Sequence, residues 1–193
     1  MTDSPADQQQ EPGLATLARM QLENVIRGGR GLDSGKLAGS RPDLAEHRAT
    51  FVTLNSANGQ LRGCIGSLEA RRPLIEDLLG NAVAAALRDP RFQPVSAMEL
   101  EGLRVEVSVL TPPEPFPYDS PEDLLVRLQP GVHGVILTKE RHRSTFLPQV
   151  WDQLPDPVTF LSHLCQKAGL GGECWKQGPE IQVYRAEKHY EKR

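Results

Sequence analysis

Residues 61 to 66 read Leu-Arg-Gly-Cys-Ile-Gly and combine the residue types from which a reactive thiol can be built. Cys64 follows Gly63 directly and stands two residues after Arg62 and two before Gly66. Side chains two apart on a strand share a face, so the guanidinium would be a neighbour of the thiol. A nearby cation favours the thiolate, the form that attacks electrophiles and binds metal ions. The segment predicts Cys64 as a nucleophile or redox thiol, with Arg62, Gly63 and Gly66 at a ligand site.

A purely structural interpretation of the same segment stays open. Free cysteine is among the most often buried residues and usually behaves as a small hydrophobe. The two glycines can equally serve a bulge or a close approach of two backbones. The sequence therefore leaves both a reactive and a packing role for Cys64.

The element that must position Cys64 is a β-hairpin. Asn58-Gly59 is the strongest short hairpin signal and suits a two-residue turn with positive φ at both positions. That turn predicts four cross-strand pairs: Leu61 with Ser56, Gly63 with Leu54, Cys64 with Thr53, and Ile65 with Val52. Because side chains alternate, Leu61 and Ile65 would face the core, and Cys64 would face the opposite, polar side. A bulge would break this register.

Asp89-Pro90-Arg91-Phe92 is the second candidate. Arg91 could clamp a carboxylate or phosphate in bidentate fashion, and Asp89 could orient the guanidinium. The alternative is a helix end followed by a surface turn, which accounts for the aspartate and the proline without any function.

Two further regions supply weaker candidates. Phe146, Trp151 and their neighbours are best explained by packing, while Thr145 and Gln149 are predicted to face a pocket. A nucleophilic cysteine needs an imidazole within hydrogen-bond reach, and His133, in a predicted strand, is the candidate base. His142, on a charged tip, is predicted to be solvated.

The cysteines predict neither a disulfide framework nor a metal site. The chain has three of them, at positions 64, 165 and 174, and this pattern contains no paired C-x-x-C motif. Cys165 lies on the apolar stripe of a predicted helix and is expected to be inert core. Cys174 has no assigned role. We predict no metal and no cofactor.

Composition and charge narrow the class of protein. The 193 residues carry a formal net charge of −3 and no basic run interleaved with aromatics, which argues against a nucleic-acid surface. Residues 1–12 are polar and predict a disordered tail rather than a signal peptide. No apolar segment is long enough to span a bilayer. We therefore expect a soluble, reduced, cytoplasmic protein.

Hydrophobic periodicity predicts an α+β fold with a mixed or antiparallel sheet flanked by helices. Residues 28–48 read as a connecting loop with at most one turn of helix. Helices are predicted over 14–26, from Pro73 to Asp89, over 121–128 and from Pro157 to Gly169. Strands are predicted over the hairpin, 103–109, 132–138, 144–147 and 181–184.

Five motifs in order are similar to the AMMECR domain family. They are FVTLNSANGQLRGCIGSL (51–68), NAVAAALRDPRFQPV (81–95), EVSVLTPPEP (106–115), STFLPQVW (144–151) and FLSHLCQKAGL (160–170), followed by Ile181-Gln182-Val183-Tyr184. The resemblance implies one α+β domain over residues 13–193, with a larger and a smaller lobe. It also implies a setting, the AmmeMemoRadiSam system, in which such domains accompany a Memo-type protein and a radical S-adenosylmethionine enzyme. It implies no reaction.

Three hypotheses follow for function. The protein could act together with the Memo-type protein and the radical enzyme, as their partner, carrier or small-ligand-binding component, through the face that carries Cys64. It could be an enzyme that uses Cys64 on an anionic small molecule. It could be a structural interaction domain in which the segment 61–66 only shapes a tight strand pair. The first is favoured, because the chain lacks a cofactor fingerprint and a recognisable nucleophile–base pair.

Overall fold

The computed structural model describes residues 11–191, so the predicted tail of residues 1–12 lies almost wholly outside the described chain. The fold divides into two compact units. The first comprises the chain up to Ser108 together with the segment from Lys188, and the second is Val109–Glu187.

Six helices and eight strands follow one another along the described chain. In order they are α1 (Leu14–Ile26), α2 (Ser34–Ser40), α3 (Pro42–Ala45), β1 (Thr50–Asn55), β2 (Leu61–Gly66), α4 (Leu74–Leu87), β3 (Arg104–Leu110), β4 (Glu114–Pro115), α5 (Pro121–Arg127), β5 (Gly134–Lys139), β6 (His142–Phe146), α6 (Pro157–Lys167), β7 (Glu180–Tyr184) and β8 (Ala186–Tyr190). The predicted α+β class is confirmed. Three short 3-10 helices, at Leu100–Gly102, Pro148–Asp152 and Cys174–Gln177, complete the pattern.

The first sheet has the strand order β2-β1-β3-β8, so the hairpin strand that carries Cys64 is an edge strand. Helix α4 packs against β1 and β2, and α1 packs against α4. Pro73 precedes α4, where a proline costs no helical hydrogen bond, and Glu76 lies in its first turn. The apolar stripe of α4 and the inward residues of the hairpin form the core of the first unit.

The second unit has an antiparallel sheet of order β4-β7-β5-β6. Its core includes Trp151, whose ring stacks on that of Phe160 with a centroid distance of 3.7 Å. Asp156 caps α6 by accepting a hydrogen bond from the Thr159 N–H. Among residues 11–191 we find no helix with the length and apolarity that a membrane crossing requires.

The cysteine prediction is wrong for the second unit. Cys165 and Cys174 form a disulfide that joins α6 to the 3-10 helix beginning at Cys174. Both residues are buried, as was expected for Cys165 alone. Their pairing depends on the path of the intervening chain, which an odd cysteine count does not reveal. Cys64 is the free cysteine.

Several boundaries also differ from the sequence prediction. Residues 28–48 contain two short helices, α2 and α3, the first capped by Asp33. The tip between β5 and β6 shrinks to Glu140-Arg141, and Glu140 has a positive φ of 54°. His142 therefore lies in β6, where its Nδ1 is 2.9 Å from the Ala168 carbonyl oxygen, instead of standing free in solvent. Strand β8 was not predicted.

Candidate functional site

The hairpin that carries Cys64 has three of the four predicted cross-strand pairs, and the fourth, Leu61 with Ser56, is wrong. Val52 pairs with Ile65, Thr53 with Cys64, and Leu54 with Gly63, as predicted. The loop, however, has three residues, since the Ser56 N–H donates to the Gln60 carbonyl and only Gly59 has a positive φ, of 82°. Asn55 pairs with Leu61, so Arg62 is an extra residue that forms a bulge.

The bulge decides which side chains face the core. Leu61, predicted to be buried, is 42% exposed because the alternation is interrupted after it. Gly63 faces helix α4, where a Cβ atom would collide with the carbonyl oxygen of Ala85. Gly66 likewise lies against the ring of Phe51 and leaves no room for a Cβ. Packing accounts for both glycines, and their predicted contact with a ligand stays a prediction.

Cys64 lies on the face opposite helix α4, because it follows Gly63 on the strand. Its side chain is partly buried. The Thr53 hydroxyl, from the paired residue on β1, donates a hydrogen bond to Sγ over 3.3 Å. Among the described residues, the Thr53 hydroxyl is the hydrogen-bond partner of Sγ. No imidazole of these residues forms a hydrogen bond with Sγ.

Asp89 and Arg91 together hold the free edge of β2 at Cys64. The Cys64 backbone N–H donates to Asp89 Oδ2 over 2.9 Å, and Arg91 Nη2 donates to the Cys64 carbonyl over 3.2 Å. The two side chains thus occupy the backbone groups that another strand would pair. The guanidinium in contact with Cys64 is that of Arg91.

Asp89 binds Arg91 through both carboxylate oxygens, and the predicted role of this pair at a ligand site stays a prediction. The carboxylate is only 4% exposed and accepts from Arg91 Nε at 3.0 Å and from Nη2 at 2.7 Å. The bidentate bond to Arg91, helped by the Cys64 and Arg91 backbone amides, holds the pKa of Asp89 far below its usual range. The Arg91 side chain is 53% exposed, and its hydrogen bonds to residues 11–191 use Nε and Nη2 but not Nη1.

Arg62 and Arg91 both approach the ring of Phe92. Their guanidinium carbons lie 5.9 and 5.4 Å from the ring centroid. Arg62 Nε donates to Glu99 over 2.8 Å, and this bond lowers the pKa of Glu99 to about 2. Arg62 Nη1 is buried without a hydrogen-bond partner in the described chain. A buried guanidinium nitrogen is costly unless a water or ligand atom satisfies it. We call Arg62, Cys64, Asp89, Arg91 and Phe92 the Cys64 site.

The remaining candidates lie in the second unit. Thr145 Oγ1 is 3.0 Å from the Tyr184 hydroxyl, and Gln149 is exposed on the 3-10 helix Pro148–Asp152. His133 precedes β5 instead of lying within it, and it is 6% exposed. Its Nδ1 accepts a hydrogen bond from the Gln129 N–H over 3.2 Å, and its ring contacts that of Phe116 edge-on. The role of His133 as a base for Cys64 stays a prediction.

Sequence reasoning missed a buried polar cluster around Asp77. Asp77, 2% exposed, accepts from the Thr50 backbone N–H and hydroxyl, both at 2.8 Å, and from Asn81 Nδ2. Ser67 and Arg72 donate to its other oxygen. The available signal was an aspartate and an asparagine four apart in a mostly apolar helix. Within residues 11–191, no group of three or more histidine, cysteine or acidic side chains could hold a metal ion.

Comparisons with known proteins cover both units. A family model described as AMMECR1 matches residues 15–189. A protein of Methanothermobacter thermautotrophicus is 42% identical over 187 residues, which span 96% of this chain and 95% of that protein. Protein MK0488 of Methanopyrus kandleri is 40% identical over 163 residues, 79% of this chain and 76% of its own length. The crystal structure of uncharacterized protein PH0010 from Pyrococcus horikoshii has a TM-score of 0.73 and 36% identity, covering 91% of this chain and 88% of that one.

Proposed function

The chain belongs to the AMMECR1 family, and from that premise we propose that the Cys64 site binds a small anionic molecule on behalf of partner proteins. The partners in this proposal are a Memo-type protein and a radical S-adenosylmethionine enzyme, which the resemblance implies. The proposal includes a cytoplasmic location, where those partners would be met.

The orientation of Arg91 carries the proposal. A bidentate pair with a buried carboxylate fixes the guanidinium plane, so little conformational entropy is lost when a ligand binds. Asp89 occupies the edge formed by Nε and Nη2, which leaves Nη1 for an anionic oxygen. The site gains no net charge from these pairs, since Asp89 and Glu99 balance the two arginines. Recognition of an anion would therefore depend on N–H donors held in fixed directions and not on a net positive charge.

The contacts of the sulfur favour binding over catalysis. A nucleophilic cysteine is normally activated by a base within hydrogen-bond reach. In the described residues, the hydrogen-bond partner of Sγ is the Thr53 hydroxyl. This hydroxyl donates its proton to the sulfur, so it does not act as the base that would remove the thiol proton. The alternative, an enzyme with Cys64 as nucleophile or redox thiol, is supported by the partial exposure of this residue.

Paired alkylating reagents test anion binding at this site. Iodoacetate carries a carboxylate and iodoacetamide does not, so the ratio of their rates at Cys64 cancels the intrinsic reactivity of the thiol. We expect Arg91→Gln to lower the ratio roughly two- to fivefold, the size of one partly exposed charge interaction. The matched control is Arg88→Gln, which removes the same charge from an exposed side chain three residues away. An unchanged ratio in Arg91→Gln would contradict the proposal.

The partner component needs a separate experiment. Tagged wild-type protein should co-purify with the Memo-type and radical proteins from cells that express all three, and Cys64→Ser and Arg91→Gln should reduce the yield. Arg88→Gln again serves as the control. Absence of both partners from the wild-type eluate would contradict the proposed association with these proteins. Anion binding at the Cys64 site would still be tested separately by the alkylation ratio.

A further inference from the structure

The second unit carries an open groove of about 520 Å³ between two segments of its chain. One wall is formed by residues 115–121, and the other by residues 176–181. This volume lies within the range of ligand sites. The lining contains no residue of the Cys64 site, so the groove is independent of the function proposed above.

The two walls of the groove are joined by hydrogen bonds. The Tyr118 hydroxyl donates to the Pro179 carbonyl over 2.5 Å, which fixes the ring of Tyr118 in the groove. The backbone N–H of Phe116 donates to the Ile181 carbonyl over 2.9 Å and makes a second link. Because the groove is already formed, little conformational entropy is lost in ordering its walls when a ligand binds.

The backbone of the groove offers acceptors but few donors. A proline has no N–H, and four of the lining residues are prolines: Pro115, Pro117, Pro121 and Pro179. The N–H of Phe116 is already used by Ile181. An added β-strand needs donors and acceptors in alternation, which this lining does not supply. A polyproline II segment needs no such ladder and docks instead on aromatic and apolar surface, such as the rings of Phe116 and Tyr118.

Two carboxylates give the groove a negative charge. Asp119 and Glu180 are both exposed, and in the described chain neither carboxylate forms an ion pair or a side-chain hydrogen bond. Lys176, the basic side chain of the lining, is paired with Glu173 and lies over the ring of Trp175. The charge that the groove presents to a ligand is therefore negative, and it favours a cation.

We propose that this groove binds a proline-rich segment of a partner protein, with the prolines on Phe116 and Tyr118 and one arginine paired with the carboxylates of Asp119 and Glu180. Arginine has five N–H donors and no acceptor, which suits a surface whose unused polar groups are acceptors. Its planar guanidinium can also bind a carboxylate in bidentate fashion and stack on an aromatic ring. The extended polyproline backbone loses little entropy on docking, because it is already ordered in solution.

Synthetic peptides test the chemistry of the ligand on the full chain. The probes are polyproline peptides of about seven residues, roughly two turns of the polyproline II helix, with one arginine moved along the series. We expect at least one of them to bind in calorimetry and to shift the amide resonances of Phe116, Tyr118 and Glu180. Glutamate in place of that arginine should abolish binding. Glycine and serine in place of the prolines should weaken it, since a flexible chain must be ordered on binding.

Exposed carboxylates supply variants that should fold normally. Asp119→Asn and Glu180→Gln should each weaken binding of the arginine peptide roughly two- to fivefold, the size of one partly exposed ion pair. Asp152→Asn removes the same charge from an exposed side chain of the same unit outside the groove, and it should leave the affinity unchanged.

Several outcomes would overturn the proposal. No binding by any arginine peptide up to its solubility would do so, and so would equal binding by the glutamate or the glycine–serine peptide. Equal binding by free spermidine would show that the groove is a site for small amines instead of a peptide. Binding that is insensitive to both groove variants would place the peptide elsewhere. The alkylation ratio at Cys64 should be the same with and without the peptide.

Discussion

Two buried carboxylates stand near opposite ends of helix α4 and hold the same hairpin, but they do so with different partners. Asp77, in the first turn, accepts from the backbone N–H of Thr50 at the start of β1. Asp89, just beyond the last turn, accepts from the backbone N–H of Cys64 on β2. Each also binds one arginine that is about half exposed, Arg72 and Arg91 respectively.

The difference between them lies in how many other side chains share the carboxylate. Asp77 also accepts from Thr50, Ser67 and Asn81, so its cluster is interlocked and can lose one member without losing its geometry. Asp89 binds one side chain, Arg91, in bidentate fashion. The first arrangement stabilises the fold, and the second sets the orientation of a single exposed guanidinium beside a thiol. Burial of a carboxylate alone does not distinguish these roles.

The largest expected effect is that of Asp77→Ala. It leaves several buried donors without an acceptor and removes the negative partner of Arg72, so the free energy of unfolding should fall by roughly 3–5 kcal/mol. Urea unfolding followed by circular dichroism measures it. Glu76→Ala, at the exposed neighbouring position of the same turn, is the control and should change little. If Asp77→Ala lowers the free energy of unfolding less than Asp89→Ala does, the assignment of the larger stabilising role to Asp77 is wrong.

Asp89→Ala should have the second largest effect. It leaves the Cys64 N–H unpaired and releases Arg91, which should lower the free energy of unfolding by roughly 1–3 kcal/mol. It should also lower the ratio of the iodoacetate to the iodoacetamide rate at Cys64, because the guanidinium is no longer held in place. Asp77→Ala, measured where it remains folded, should keep the wild-type ratio. Equal ratios for Asp89→Ala and wild type would remove the orienting role of this carboxylate.

Acid should affect the Asp89 end of the helix in a predictable direction. The pKa of Asp89 is lower in the folded chain than in the unfolded chain, so its contribution to stability is complete above the ordinary carboxyl pKa of about 4 and is lost as the pH falls through the folded pKa. Glu99, with a pKa lowered to about 2, adds an effect of the same sign. Urea midpoints at about pH 6 and about pH 3 should differ less in Asp89→Asn than in wild type. An identical pH dependence in both proteins would show that the ion pair adds no stability.

The smallest expected effect on stability is that of Arg91→Lys. The variant keeps the positive charge but cannot form the bidentate pair, and because Arg91 is half exposed the free energy of unfolding should change by about 1 kcal/mol or less. The alkylation ratio should nevertheless fall toward that of Arg91→Gln, since lysine cannot be oriented by the planar carboxylate. A wild-type ratio in Arg91→Lys would mean that charge alone matters at this site.

The hairpin shows how three of four cross-strand pairs can be predicted correctly from an incomplete argument. The sequence signal at Asn58-Gly59 suggested a two-residue turn, whereas the loop has three residues. The bulge at Arg62 adds one residue to the other strand, so the two differences cancel before Leu54 and Gly63. Thr53 still faces Cys64, but Leu61 is exposed. Turn propensity is local, while a bulge depends on what each strand packs against.

The residues that complete the sites show where sequence reasoning stops. Asp89 and Arg91 were singled out by their spacing, but nothing in the spacing says that they bind the backbone of Cys64, 25 residues earlier. The disulfide between Cys165 and Cys174 and the roles of Asp77 and Glu99 were missed for the same reason. The contacts of Asp77 and Glu99 join residues 27 and 37 apart, and even the disulfide, over a separation of nine, depends on the path of the intervening chain.

The amino-acid sequence by itself determined the longer helices, most of the strands and the α+β class, because hydrophobic periodicity and turn residues act over a few neighbouring positions. Only the tertiary structure decided that Asp89 and Arg91 bind the backbone of Cys64, and that Cys165 pairs with Cys174. Hydrogen bonds form between whichever groups folding brings within about 3 Å, and the sequence does not encode that distance locally.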